Sequence, residues 1–287
     1  MPHMDVERDE GDQALKRRLK RTMDIAVNRY ARRVLFGGGE DVTEQVAARS
    51  CLVLAPHPDD ETLGCGVSIL RKVDAGTSVR IIFATDGGAS HPGARMNPAE
   101  LVRRREAEAV TACAALGVER SQLVFLGHPD GRLHRCKDEL REQVRRVLRE
   151  FESDEVLVTS GMDWHRDHRA LFEVVTELMA SEEIRAAVRA YPVWFWSARS
   201  WIGAARPGLG TFWRLGNRWH QLHRQRVELV RTDGYLARKR SALEAYATQM
   251  RREVDEPEWA CFDTHFIANF FQRYEVLFPL RREARSP

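Results

Sequence analysis

Apolar and polar positions follow two alternating periods between residues 50 and 180. Short apolar runs at Ser50–Ala55, Val79–Ala84, Gln122–Leu126 and Glu155–Thr159 have the length of buried strands. Each is followed by a longer stretch with apolar residues at helical spacing. The first, Thr62–Gly76, carries Leu63, Val67, Leu70 and Val73; the others are Ala99–Leu116, Lys137–Phe151 and His168–Met179. This cadence predicts βαβ crossovers on a mostly parallel sheet, a Rossmann-like three-layer α/β fold.

The pattern is looser at both ends. Residues 5–20 are charge-dense and read as a frayed or solvated helix. Thr22–Phe36 reads as an amphipathic helix that Gly37-Gly38-Gly39 interrupts. Residues 1–49 are therefore expected to form an N-terminal helical extension, and 50–287 a single domain with a C-terminal elaboration. In that elaboration Pro192–Trp196 predicts a strand, Trp201–Gly216 a loop, and Val227–Val230 an edge strand. A helix is expected from about Tyr235 to Met250. The aromatic residues from Phe262 to Phe278 read as core packing.

Composition narrows the function classes. Forty-five basic residues stand against 42 acidic ones, a net charge of +3, which gives no reason to expect a nucleic-acid partner. No apolar run approaches the roughly 20 residues of a spanning helix. The charged start Met1-Pro2-His3-Met4-Asp5 does not read as a secretory signal. Five scattered cysteines without a C-x-x-C pair fit neither a disulfide framework nor a cysteine-based metal site, and point to a reducing, cytoplasmic setting. The chain also lacks a G-x-G-x-x-G fingerprint in register and a phosphate loop.

The chemistry gathers where the predicted strands end. The first strand runs into Pro56-His57-Pro58-Asp59-Asp60-Glu61, the second into Thr85-Asp86-Gly87-Gly88, and the third into Gly127-His128-Pro129-Asp130-Gly131. The fourth runs into Ser160–His168, which contains His165-Arg166-Asp167-His168. Capping of the next helix accounts for one aspartate at the first end, but not for a histidine, two aspartates and a glutamate together. In open α/β sheets ligands bind at this carboxyl edge. His57 and Asp60, three apart, can point at one ion, leaving Asp59 to face a water. With His168 they form a His₂Asp triplet with an open fourth position, suited to one Zn²⁺. Mg²⁺ prefers all-oxygen shells, which disfavours a magnesium phosphohydrolase.

These motifs, with Arg105 and Glu108 ahead of Leu116-Gly117 and with Lys239–Leu243 before Tyr246-Ala247-Thr248-Gln249, resemble in order the PIG-L/LmbE-like family over roughly residues 50–250. The family's members are zinc-dependent N-deacetylases of N-acetylglucosamine-containing molecules and related amides. The resemblance implies His57, Asp60 and His168 as zinc ligands and Asp59 as general base. It makes His165 the acid or oxyanion stabiliser, with Asp167 orienting it and raising its pKa. Arg105 and Asp86 become substrate contacts, while Asp130 either binds substrate or forms a turn. The expected substrate is an N-acetylated sugar or glycoconjugate, the alternative being another amide or a phosphorylated small molecule.

Overall fold

Strands covered on both faces read as unbroken apolar runs, and Cys51–Ala55 and Glu155–Thr159 are buried at every position. A computed structural model of the chain describes residues 3–203, 209–253, 255–256 and 259–281. In chain order, α1 (His3–Gly38), β1 (Glu40–Asp41) and α2 (Thr43–Ala47) lead to β2 (Cys51–Ala55) and α3 (Asp60–Asp74). Then come β3 (Val79–Thr85), α4 (Pro98–Ala115), β4 (Leu123–His128), α5 (Lys137–Glu150), β5 (Glu155–Thr159), α6 (Arg166–Ala180) and β6 (Ala187–Tyr191). The last third holds α7 (Ala198–Ile202), α8 (Leu209–Arg224), β7 (Glu228–Arg231), α9 (Leu236–Glu244), α10 (Ala247–Met250), α11 (Thr264–Ala268) and β8 (Tyr274–Leu280).

The α/β fold expected from the cadence is present. Eight strands form one sheet in the order β1-β7-β8-β6-β5-β2-β3-β4. Every pairing is parallel except those of β8, which runs antiparallel to β6 and β7. From β2 the chain builds outward to β3 and β4, then returns to lay β5 on the other side of β2. The strand order reverses there, at the crevice where such sheets bind ligands. The segments after β2 and β5 flank it.

Several expectations from the sequence change outside that core. The helix expected at 22–36 is the end of the continuous α1, which runs through Gly37 and Gly38. β1, inside the stretch assigned to the N-terminal extension, pairs with β7. Buried Lys72 of α3 donates to the Val46 and Arg49 carbonyls (2.6 and 2.9 Å), tying α2 down. Pro192–Trp196 is not a strand. The strand is β6, ending at Tyr191, and Trp194–Trp196 form a single 3-10 turn. Pro192 has no N–H to give a ladder, and the amides of Val193 and Phe195 turn to the Asp163 carboxylate (3.2 and 2.7 Å). Trp201–Gly216, expected as a loop, holds the end of α7 and the first half of α8; residues 204–208 lie outside the described residues. β7 is not an edge strand, because β1 covers its outer side. The helix expected at 235–250 breaks between α9 and α10, where Tyr246 turns its hydroxyl to Glu61 (2.6 Å).

Helix α3 is kinked at Cys65 (φ −140°, ψ 24°), which frees backbone groups in a buried place. Residues from the far end of the chain satisfy them. Glu275 of β8 accepts from the amides of Val67 and Ser68 (2.7 and 2.8 Å) and from the Ser68 hydroxyl (2.8 Å). Lys239 of α9 donates to the Leu63 carbonyl and to Glu275, both at 2.8 Å. Gly64, just before the kink, lies so close to the Tyr191 ring that any side chain there would overlap it. The C-terminal elaboration is thus part of the support for α3. Replacing Glu275 by Ala strands a buried ammonium and two amides, so urea unfolding is expected to show a loss of about 3–5 kcal/mol. A loss below about 1 kcal/mol, the range of an exposed pair, contradicts this role.

Candidate metal centre and active site

The turn between β2 and α3 is held in an unusual shape. Asp59 has φ 122°, outside the usual range for a residue with a side chain. Its N–H donates to Glu61 Oε2 (3.1 Å), and Glu61 Oε1 accepts from the hydroxyls of Tyr246 (2.6 Å) and Thr62. Arg105 Nη2 donates to the Pro58 carbonyl and to Asp59 Oδ2 (2.5 and 3.1 Å). Thr85 at the end of β3 donates through its N–H and its hydroxyl to the Pro56 carbonyl, both at 2.9 Å. Backbone and side chain of Asp59 are therefore both fixed.

Around this turn the histidines and carboxylates converge. Asp60 Oδ2 accepts from the His57 N–H (2.9 Å) and lies 3.1 Å from His57 Nδ1 and 3.2 Å from His168 Nε2. His168 Nδ1 stands 2.8 Å from Asp163 Oδ2. His57 Nε2 lies 3.1 Å from Asp130 Oδ1 and 3.2 Å from Asp167 Oδ2. The His165 ring meets His57 edge-on, with centroids 4.7 Å apart, and is 5.3 Å from His168. His57, Asp59, Asp60, Asp130, His165, Asp167 and His168 are thus brought together in one place.

Three assigned roles change. Asp167 does not orient the His165 ring. Its carboxylate accepts from the amides of Gly131 and Leu133 (2.6 and 3.1 Å) and faces His57, while its own N–H donates to His165 Nδ1 (3.4 Å). Arg105, expected on substrate, is buried with its guanidinium on Asp59 and Pro58. Asp86 turns inward, accepting from the amides of Gly88 and Asp130 (2.9 and 3.1 Å), so it shapes the turn that carries Asp130.

The titration behaviour follows from burial and neighbours. Burial raises Asp59 to about 7, with Arg105 opposing and Asp60 adding to the rise. Burial lowers His57 and His168, but carboxylates outweigh it. Asp130, Asp167 and Asp60 hold His57 well above its ordinary value, and Asp60 and Asp163 bring His168 to about 9. His165 moves the other way, against the rise expected from Asp167. Burial, then the charges of His57 and His168, lower it to about 3.

The residues fit a divalent cation. Nε2 of His168 is buried and has no hydrogen-bond partner, though it faces the carboxylate oxygen that His57 Nδ1 also faces. Four carboxylates press on two buried imidazoles, an excess of negative charge that a cation balances. Two groupings keep their donor atoms within 4.8 Å of one another, His57 with His165 and His168, and His57 with Asp130 and Asp167.

The roles of two contributors were not assigned from the sequence. Asp163, fully buried, spans His168 and the amides after β6. Its signal was a carboxylate two residues before His165, at a strand's carboxyl end. Glu61, with Tyr246 behind it, holds Asp59; nothing in the sequence links residues 185 positions apart.

Known proteins share parts of this chain. The profile of the PIG-L family, GlcNAc-PI de-N-acetylase, matches residues 52–179. The 1D-myo-inositol 2-acetamido-2-deoxy-α-D-glucopyranoside deacetylase of Kineococcus radiotolerans is 39% identical over 87 residues, 29% of this chain and 24% of that protein. The diacetylchitobiose deacetylase of Thermococcus kodakarensis is 28% identical over 124 residues, 42% of this chain and 45% of that protein. The chain therefore spans less than half the length of either curated relative. In structure it resembles the N,N'-diacetylchitobiose deacetylase of Pyrococcus horikoshii, with TM-score 0.61 and 19% identity over 89% of this chain and 91% of the other. That likeness shows the fold. The span that matches the PIG-L profile, residues 52–179, runs from β2 through most of α6 and contains every residue of the candidate centre.

Proposed function

We propose that this chain is a zinc-dependent hydrolase that removes the acetyl group from the amide nitrogen of an N-acetylated amino sugar or its glycoconjugate. The observation that carries this reading is the unpartnered, buried His168 Nε2 facing Asp60 beside His57, with Asp59 one residue away. His57, Asp60 and His168 would hold the ion, a set of two imidazoles and a carboxylate that suits zinc. When bound, such an ion polarises a carbonyl and acidifies water. The relatives named as deacetylases of acetamido sugars support the substrate class.

The chain's own groups have matching parts. With its pKa near 7, Asp59 is ionised in a large fraction of molecules at neutral pH yet basic enough to take a proton from water. Arg105 holds its carboxylate in place. As the water oxygen bonds to the carbonyl carbon and the C–N bond breaks, the same proton passes from Asp59 to the departing amine nitrogen. His165 is neutral at rest, and its Nδ1 accepts a backbone N–H. That leaves Nε2–H to donate to the developing oxyanion. Asp130 and Asp167 keep the His57 ring in place from its far nitrogen. Trp194, stacked on Phe266 at 4.8 Å, stands 6.5 Å from His165 and lines a cleft of about 880 Å³ with room for a glycoconjugate acceptor. A reducing, cytoplasmic setting belongs to the same reading, supported by five free cysteines, three of them buried.

Replacing Asp59 by Asn should leave one equivalent of zinc in place and lower turnover on an N-acetylated sugar by about 10²–10⁴. Amine release and elemental analysis on the same preparation test this. Near-normal turnover removes Asp59 from the chemistry, and loss of the ion makes it a ligand. Replacing Asp163 by Ala frees the His168 ring and should weaken zinc affinity about 10–100-fold in a chelator competition. Unchanged affinity would mean that His168 is not a ligand.

A further inference from the structure

Helices α1 and α8 border a groove that the catalytic reading does not use, on the side of α1 away from Ile25, which lines the Trp194 cleft. Among the described residues the large hydrophobic side chains exposed to solvent are Met23 (41%), Ile25 (45%), Tyr30 (38%), Trp213 (70%) and Trp219 (52%). All five are on α1 or α8. The two helices meet through Tyr30, whose hydroxyl lies 2.8 Å from His223 Nε2, and Trp219 packs 4.5 Å from the same His223 ring. Between them runs an apolar groove of about 480 Å³, lined by Ala26, Val27, Tyr30, Trp201, Leu215 and Trp219. Clustering of this kind marks an interaction surface, since apolar side chains exposed at random would be scattered.

Charge identifies the occupant. Residues 16–33 and 190–227 together hold 14 Lys and Arg against one Asp, while the rest of the chain holds 31 against 41. These two stretches carry a formal +13, and the remainder −10. The one acidic residue, Asp24, accepts from the Ala198 N–H at 2.5 Å. A second copy would bring an equally basic face against the first, which like-charge repulsion opposes. Tryptophan and tyrosine beside arginine on a surface helix suit the boundary between lipid headgroups and acyl chains, where the rings insert and the guanidinium groups meet anionic headgroups. No described helix is long and apolar enough to cross a membrane.

We infer that the α1/α8 face docks the protein on an anionic lipid surface, with Trp213 and Trp219 at the headgroup level and the exposed Arg29, Arg33, Arg214 and Arg224 on lipid phosphates. The face adjoins the candidate site through α7. Trp201 lines the groove, and the Ser200 hydroxyl accepts from the N–H of Trp164, next to His165.

The test is sedimentation of the full chain with vesicles of phosphatidylcholine alone and of phosphatidylcholine with roughly one third phosphatidylglycerol. Binding is expected only to the anionic vesicles, falling steeply as salt is raised from about 0.1 M toward about 1 M. Arg214→Gln with Arg224→Gln keeps both tryptophans and should weaken partitioning about fivefold per arginine. Trp213→Ala with Trp219→Ala should abolish it, with unchanged circular dichroism. Equal binding to both vesicle types, no binding to either, or charge variants that bind like the parent would overturn the inference. So would light scattering showing a lipid-free dimer that Trp213→Ala dissociates, because the face would then belong to a second copy.

Discussion

Asp59 occupies a backbone conformation that costs a residue with a side chain of order 1–3 kcal/mol, and it persists only because its surroundings over-determine it. Arg105 reaches from α4 to the Pro58 carbonyl and the Asp59 carboxylate, Glu61 accepts the Asp59 N–H, and Tyr246 fixes Glu61. One turn lower, Lys239 and Glu275 satisfy the kink of α3. The strain sits in a four-residue turn, while its support reaches in from Glu61 and Thr85 nearby and from residues as distant as Tyr246. A hydrolytic base gains from such an arrangement, because its carboxylate is aimed before any substrate arrives.

Electrostatics makes the same place receptive to a cation. His57 and His168 are buried, which alone would keep them neutral, yet surrounding aspartates favour their charged forms. A divalent ion can displace those protons and balance the same carboxylates, so occupancy should be linked to proton release. Two buried aspartates one residue apart are driven in opposite directions. Asp60, facing both histidines, is lowered, and Asp59, facing mainly Arg105 in a dry pocket, is raised. Such separation is what the proposed division of labour, Asp60 on the ion and Asp59 as base, requires.

Much of this was legible because the chain marks its strand ends with chemistry. The strands from 51 to 159 are continuous apolar runs, and the order reversal beside β2 brings His57, Asp60 and His168 together as their positions implied. The C-terminal third was harder for identifiable reasons. Pro279 inside Tyr274–Leu280 argues against an interior strand, yet β8 lies between β6 and β7. Gly210 and Gly216 read as breakers, but α8 forms around Leu215 and Leu222 docked on the body. The residue types at Arg105 and Asp167 were informative, whereas their directions were not. An arginine on Asp59 and an aspartate on the Gly131 and Leu133 amides depend on packing across elements that no local pattern encodes.

Because His57 presents both ring nitrogens to carboxylates, the position of a bound ion decides the assignment of every group around it. Anomalous diffraction at the zinc edge, from crystals of the zinc-loaded protein, measures that position directly. The arrangement described here predicts one peak about 2.0–2.2 Å from donor atoms of His57, Asp60 and His168, with Asp59 outside bonding distance. A peak between His57 Nε2, Asp130 and Asp167 would contradict it and make Asp60 a hydrogen-bond partner of the histidines.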